Sequence, residues 1–208
     1  MNILVIGAAG RTGKAVVEQA VAAGHQVTAF VHTADGYKAP DVRVIEGDAA
    51  DSAAMDAAVL GQDAVIDAIG GKTPPYKATT LETSVAGTVI TSMQRNGVRR
   101  LVVISMMGVG ESKASVPIYE RLLVSTFLRG EDKDKAAMEA AVEGSGLDWV
   151  ILRPPFLTDG SAKGNVRVFS AEAGEKAHTI TRADLASFML AQLSSDEHLH
   201  QAVTIANS

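Results

Sequence analysis

The stretch Asn2-Ile3-Leu4-Val5-Ile6-Gly7-Ala8-Ala9-Gly10-Arg11-Thr12-Gly13 decides the fold. The apolar run Ile3 to Ile6 reads as a strand, and it enters a loop with a glycine at every third position. Helix-period residues follow from Lys14 to Ala23, and after Gly24 a second apolar strand runs from Gln26 to Val31. Strand, glycine-rich turn, helix, strand is the order of a dinucleotide-binding βαβ unit. Gly7 permits the tight turn off the strand, Gly10 lets backbone approach a pyrophosphate, and Gly13 lets the helix pack closely on the sheet. The phosphates would lie at the helix N-terminus, facing free N–H groups and the positive end of the dipole. The spacing is G-x-x-G-x-x-G, not the G-x-G-x-x-G of the commonest dehydrogenases. The flanking strand and helix are what give the loop its meaning.

Downstream, apolar runs and amphipathic segments alternate almost to the end. Strands are predicted at Val42–Ile45, Ala64–Ile69, Arg100–Ile104, Asp148–Leu152 and Ala202–Ile205. Helices are predicted over Asp51–Leu60, capped by Asp51 or Ser52, and over Thr79–Arg95, stopped by Asn96-Gly97. Further helices are predicted between about Ile118 and Val142 and over Thr181–Leu193. Pro154-Pro155 blocks continuation of the sixth strand. The alternation predicts an α/β fold, a Rossmann-like doubly wound parallel sheet with helices on both faces. Residues 1–208 read as one domain, with 154–180 forming a small C-terminal substrate lobe that includes a short strand, Val166–Phe169. Ligands of such sheets lie over the carboxyl ends of the strands, here Gly7–Gly13, His32, Asp48, Ile69–Gly71, Ser105–Met107 and Pro154–Phe156.

Composition narrows the class. The 208 residues are 47% hydrophobic and 21% charged, a globular profile. A net charge of -5 with no basic patch argues against a nucleic-acid partner. No cysteine is present, so disulfides, thiolate catalysis and cysteine metal sites are excluded. His198 and His200 lack the further ligands a metal site needs, and no metal is expected. A strand starting at Asn2 leaves no room for a signal peptide, and no apolar run reaches membrane-spanning length. The expectation is a cytoplasmic monomer or small homo-oligomer with no membrane partner.

Several stretches carry a resemblance: Gly7 to Gly13, Gly47-Asp48, Ser105-Met106, Ser145-Gly146-Leu147-Asp148-Trp149, Arg153-Pro154-Pro155 and Thr181-Arg182-Ala183-Asp184-Leu185-Ala186. Over nearly its whole length the chain resembles the atypical short-chain dehydrogenase/reductases, specifically NAD(P)H-binding proteins similar to flavin reductase/biliverdin-IXβ reductase and the NmrA-like proteins. The resemblance implies a cofactor site of Gly7, Ala9, Gly10, Arg11, Thr12 and Gly13 at the phosphates. It adds His32, Asp48 and Ala49 at the adenosine, and Ala68, Ile69 and Gly70 along the ribose. Pro154, Pro155 and Phe156 would pack on the nicotinamide. Ser105, with Met106 beside it, would face the nicotinamide or the substrate. Lys135 falls where relatives place a lysine or histidine facing the cofactor. Ser105 and Lys135 are the candidate catalytic residues.

One departure shapes the chemistry. Short-chain dehydrogenases use Tyr-x-x-x-Lys as a proton relay; if Lys135 is the lysine, Glu131 stands at the tyrosine position, and Tyr119 is followed four residues later by Leu123. Alcohol dehydrogenation and sugar epimerisation need such a relay. Reduction of a flat flavin or quinone mainly needs two rings held together. Arg11 in the first turn opposes the helix dipole unless an anion sits there, so it reads as a contact to an adenosine 2′-phosphate. No carboxylate stands at the tip of strand two, where NAD-specific sites want one. The expected activity is an NAD(P)H-dependent reductase of a planar small molecule, with NADP(H) favoured and NAD(H) the alternative. A non-catalytic NmrA-like redox sensor and a nucleotide-sugar epimerase-like enzyme are the competing readings. Lys135 also has a plainer reading, as part of a solvated face of local ion pairs along Glu131-Asp132-Lys133-Asp134-Lys135.

Overall fold

The computed structural model describes residues 1–70, 79–109, 129–170 and 175–208, with the side chains of residues 129–131 outside that description. The chain begins β1 (Asn2–Ile6), α1 (Arg11–Ala22), β2 (Gln26–Val31), β3 (Val42–Glu46), α2 (Ser52–Val59), β4 (Ala64–Asp67), α3 (Leu81–Asn96) and β5 (Arg100–Ile104). It continues with α4 (Arg129–Glu143), β6 (Asp148–Arg153), β7 (Phe156–Thr158), β8 (Val166–Phe169), β9 (Thr179–Thr181), α5 (Arg182–Ala191) and β10 (Gln201–Asn207).

The main sheet has the order β3-β2-β1-β4-β5-β6-β10-β8. Every pairing is parallel except the last, β10 with β8. The chain winds outward from β1 to β3, then returns to start the other half at β4. The order therefore reverses between β1 and β4, and a crevice opens above their carboxyl ends.

Two apolar layers explain why the strands read as continuous hydrophobic runs. Successive side chains alternate between faces. Ile3 and Val5 of β1 pack with Val16, Ala20, Leu185 and Met189 under α1 and α5. Leu4 and Ile6 pack on the opposite face with Met55, Val89, Met93 and Met138 under α2, α3 and α4. Helix ends follow the local sequence. Asp51 caps α2, its carboxylate accepting from the Ala54 amide at 2.8 Å. Thr181 caps α5, its hydroxyl accepting from the Asp184 amide at 3.0 Å.

Residues 154–180 differ from expectation. The strand Val166–Phe169 exists, but it lies in the main sheet, antiparallel to β10, and not in a separate lobe. There it covers the edge of the last parallel strand, which would otherwise present unpaired backbone groups. Its Phe169 is buried with Met107, Ala177 and Ala206. The prolines end β6 as predicted, but the chain resumes at once as β7, which pairs in parallel with β9. Both strands are three residues long, too short for periodicity to reveal. Of the helix predicted between Ile118 and Val142, the described part is α4; Ile118, Tyr119, Leu123 and Gly71 lie outside the described residues, as does the side chain of Glu131.

Candidate functional site

The glycine loop separates into structural and open positions. Gly7 has φ +73°, and a Cβ there would meet the Ala68 carbonyl and the Ile69 amide at 3.0 Å. A Cβ on Gly13 would stand 2.2 Å from the Gly7 carbonyl oxygen. Both glycines are forced by the protein's own packing. At Gly10 an added Cβ would touch the Gly7 oxygen at 3.2 Å and nothing else within 4 Å. Its outer side is open, as a site for close ligand approach requires. Gly10 is also the N-cap of α1 and offers no side-chain acceptor, and the first turn carries no acid. The amides of Arg11, Thr12 and Gly13 lack intrahelical acceptors by helix geometry, so this end is suited to an anion.

Beside the loop, Gly7, His32, Asp48, Ala49 and Ile69 line one cavity of about 380 Å³, with Phe30 and Val85 at its apolar wall. The β2 tip supplies His32 and the β3 tip supplies Asp48, whose carboxylate accepts from the Ala50 amide at 2.9 Å. Ala68 belongs to the apolar core, whereas Gly70 is exposed with open space around it. The groove thus gathers His32, Asp48 and Ala49, expected at the adenosine, and Ile69, expected at the ribose, but neither Ala68 nor Gly70 lines it.

On the other side of the switch point, Ser105 follows β5. Its amide donates to the Leu152 carbonyl at 2.7 Å, extending the sheet by one rung. Its side chain is only 3% exposed, and its hydroxyl oxygen has no hydrogen-bond partner among the described residues. Such an orphan is costly unless a ligand completes it. Met107 is taken up by the core, and its amide donates to the Pro154 carbonyl at 2.9 Å. Met106 is half-buried, Pro154 buried, Pro155 half-buried, and Phe156 is 60% exposed.

Two expected contacts are occupied by protein partners. Arg11 reaches Asp159 beyond β7, Nη1 to Oδ2 at 3.0 Å, with both side chains exposed. The other oxygen of Asp159 accepts from Arg182 at 2.6 Å, so one carboxylate joins the first turns of α1 and α5. Lys135 is not on a solvated face, which corrects the plainer reading of that helix. It is buried, and its Nζ pairs with Glu82 Oε2 at 2.6 Å. The helix carries Asp134, Lys135 and Glu139 inward while Lys133 and Glu143 stay exposed. Asp134 accepts from the Glu82 and Thr83 amides at 3.1 and 2.9 Å and from the Thr83 hydroxyl at 2.6 Å. It thereby caps α3, whose own N-cap Thr80 makes no capping bond. Burial pushes the Asp134 carboxyl up, but these hydrogen bonds outweigh it and hold it below the ordinary range.

The sequence reading missed Asp67. It ends β4, fully enclosed, with Oδ1 accepting from the Ile69 amide at 2.9 Å. Burial drives its carboxyl up to about 7; nearby Glu82 adds to the rise, while the Ile69 amide and Lys135 oppose it. A carboxylate closing the apolar run Ala64-Val65-Ile66 was the available signal. Arg153 was also unassigned in detail. It forms a buried two-pronged pair with Glu139 at 3.0 and 2.7 Å, which ties the end of β6 to α4. Asp184, expected to be a first-turn carboxylate, is a structural hub. It accepts from the Lys163 and Gly164 amides, Asn207 and Thr181. Burial raises it, but those bonds bring it down to about 2.

Known proteins share this fold. YwnB, an uncharacterised protein of Bacillus subtilis (strain 168), is 26% identical over 218 residues, spanning 100% of this chain and 99% of its own. Among solved structures, the anaerobillin reductase ChuY of Escherichia coli O157:H7 superposes with a TM-score of 0.82 at 24% identity, covering 100% of this chain and 97% of that one. A short-chain dehydrogenase/reductase of Veillonella parvula DSM 2008, solved in complex with NADP, gives 0.83 at 15% identity, covering 99% and 94%. Among the described residues, no helix is long and apolar enough to cross a membrane. The family model described as NAD(P)H-binding matches residues 7–196, and the chain belongs to that family, with the Rossmann-like oxidoreductase fold its sequence foretells.

Proposed function

We propose that the protein is an NAD(P)H-dependent reductase of a flat acceptor such as a flavin or quinone, with NADPH the favoured donor. The observation that carries the reading is the Ser105 hydroxyl, buried and without a partner among the described residues at the tip of β5. The fit to a dinucleotide rests on the open side of Gly10 and the groove running from Gly7 to Asp48. Gly10 and the first-turn amides of α1 would hold the phosphates. His32, Asp48, Ala49 and Ile69 would hold the adenosine half, and Pro154 and Pro155 would wall the nicotinamide. Bound there, the reduced cofactor supplies a hydride. Ser105 would orient the carboxamide or the acceptor by one hydrogen bond, and Met106 and the exposed Phe156 would cover a planar ring and keep water from it. Two named neighbours support the reading, one a reductase and one an NADP complex.

A non-catalytic redox sensor is the second reading. The pairing of Lys135 with Glu82 favours it, because that amine is already engaged. Steady-state oxidation of NADPH over a panel of flavins, quinones and secondary alcohols separates the two. The expected result is turnover with flat acceptors and none with alcohols. Tight NADPH binding without turnover on any acceptor overturns the reductase in favour of the sensor.

A further inference from the structure

The register of β7 on β9 sets up a charged cluster at the first turn of α1. Thr158 pairs with Thr181, so the next residues, Asp159 and Arg182, leave the two strands side by side. Arg182 opens α5 as Arg11 opens α1. The two helices share one apolar layer, Val16 and Ala20 with Leu185 and Met189, and the Gln19 side-chain amide donates to the Ala183 carbonyl at 2.9 Å. Two first turns are thus fixed next to each other, each starting with a cation. The first turn of α1 carries no acid of its own, and the helix dipole opposes a cation there. Asp159 supplies the anion from outside the helix. Its Oδ2 accepts from Arg11 at 3.0 Å and its Oδ1 from Arg182 at 2.6 Å. Among the described residues neither arginine has another acidic partner. Two guanidinium groups share one carboxylate, which leaves one positive charge in excess.

The two contacts are unequal. The Arg182 side chain is only 12% exposed, whereas that of Arg11 is 70% exposed. An exposed ion pair is weak and exchanges at little cost. A guanidinium bound to a phosphate forms stronger, two-pronged, charge-assisted bonds. When Arg11 turns to a phosphate, Arg182 and Asp159 remain as a one-to-one pair, and no enclosed charge is stranded.

We propose that Asp159 is a specificity-determining residue for the cofactor: its carboxylate competes with the adenosine 2′-phosphate for Arg11 and so limits the preference for NADPH over NADH. The proposal rests on NADPH as the favoured donor, with Arg11 at its 2′-phosphate. NADH has no such group and leaves the Arg11–Asp159 pair as it stands. Preference is a difference of two affinities, so a residue that taxes one cofactor alone sets the ratio.

The test is calorimetry of NADPH and NADH with the full-length protein and its Asp159→Asn variant. Asparagine keeps one oxygen for Arg182 and turns an amide N–H2 towards Arg11, so it holds the loop and frees Arg11. The expected result at low salt is NADPH bound about three- to tenfold tighter and NADH changed by less than about twofold. Both cofactors are read on the same sample, so any loss of folded protein cancels in the ratio. The gain should shrink at about 0.5 M salt, as a competition between exposed charges must. In an Arg11→Ala background the gain from Asp159→Asn should vanish, because there is no arginine left to compete for. An unchanged NADPH-to-NADH ratio in Asp159→Asn, or a gain that persists undiminished without Arg11, overturns the proposal. If Arg11→Ala alone leaves NADPH affinity intact, or the unaltered protein binds both cofactors equally, the 2′-phosphate reading falls and the competition with it. Loss of NADPH affinity in Arg11→Ala without a gain in Asp159→Asn removes the competition alone and leaves that reading standing.

Discussion

Asp67→Asn should flatten the pH dependence of stability, and the sign is opposite to that of most carboxylates. An ordinary aspartate titrates at 3.8, whereas burial, helped by Glu82, lifts Asp67 to about 7. Between these values the folded chain keeps a proton that the unfolded chain has lost. Stability therefore falls as pH rises from about 4 to about 7 and is level above. At about 1.4 kcal/mol per pH unit, the full span corresponds to about 4 kcal/mol, of which about 3 kcal/mol falls between pH 5 and 8. About 2–3 kcal/mol is therefore expected between those two pH values. Asparagine cannot ionise. Its stability relative to the wild type should rise by that amount from pH 5 to pH 8, whatever constant offset the new amide introduces. Urea unfolding of both proteins at the two pH values measures the difference. A relative stability that stays constant within about 0.5 kcal/mol would falsify the claim that the folded protein holds this proton.

Gly13→Ala should cost about 3 kcal/mol or more in urea unfolding, because its Cβ would stand 2.2 Å from backbone, whereas Gly10→Val should keep its melting temperature within a few degrees and lose at least tenfold in dinucleotide affinity by calorimetry. Asp184→Ala should destabilise by about 2–4 kcal/mol at pH 7 and by less near pH 3, since a carboxyl held at about 2 contributes stability above the unfolded value of 3.8 that fades as pH falls through both; equal losses at the two pH values would count against the hub. Arg11→Ala should change stability by less than about 1 kcal/mol, because its partner Asp159 is solvent-exposed, yet weaken NADPH by about 1.5–3 kcal/mol and leave NADH nearly unchanged; equal losses for both cofactors would remove the 2′-phosphate from the argument. Ser105→Ala should lower kcat about ten- to a hundredfold with normal folding, and a variant at wild-type rate would deprive the buried hydroxyl of a role.

The parallel half of the fold was legible because its signals are local. Ile3 to Ile6 are apolar at every position since both faces of β1 are buried, and only a sheet covered on two sides asks that of a strand. Asp51 and Asn96-Gly97 marked helix ends because capping is written within four residues. β8 was recognised as a strand of the C-terminal lobe, but its pairing with the main sheet was not. Its residues Val166 to Phe169 alternate as any edge strand would, and nothing in four residues says which partner they meet. The partner is β10, reached only after α5 has brought the chain back.

The site divides along the same line. Gly10 and Gly13 could be read because each answers to backbone within a few residues, and Gly7 because the chain turns there at φ +73°, although the backbone that crowds it, Ala68 and Ile69, is remote in sequence. Lys135 could be found by its spacing from Ser145-Gly146-Leu147, but its state could not, since the Glu82 that holds it lies 53 positions away. In sequence, Glu131 to Lys135 looks like a solvated helix face. In space Asp134 and Lys135 turn inward, one to the open end of α3 and one to Glu82. A charge run is read as surface because burying a lone charge is prohibitive, and that inference fails where a helix meets its complement across a tertiary contact. Asp67 is the sharper case. Its identity as an acid is plain in the sequence, but whether it keeps its proton depends first on burial under elements remote in sequence, with Glu82 adding to the rise and the Ile69 amide and Lys135 opposing it. The chemistry of the site is set by distances between elements, and these are the quantities a linear reading does not contain.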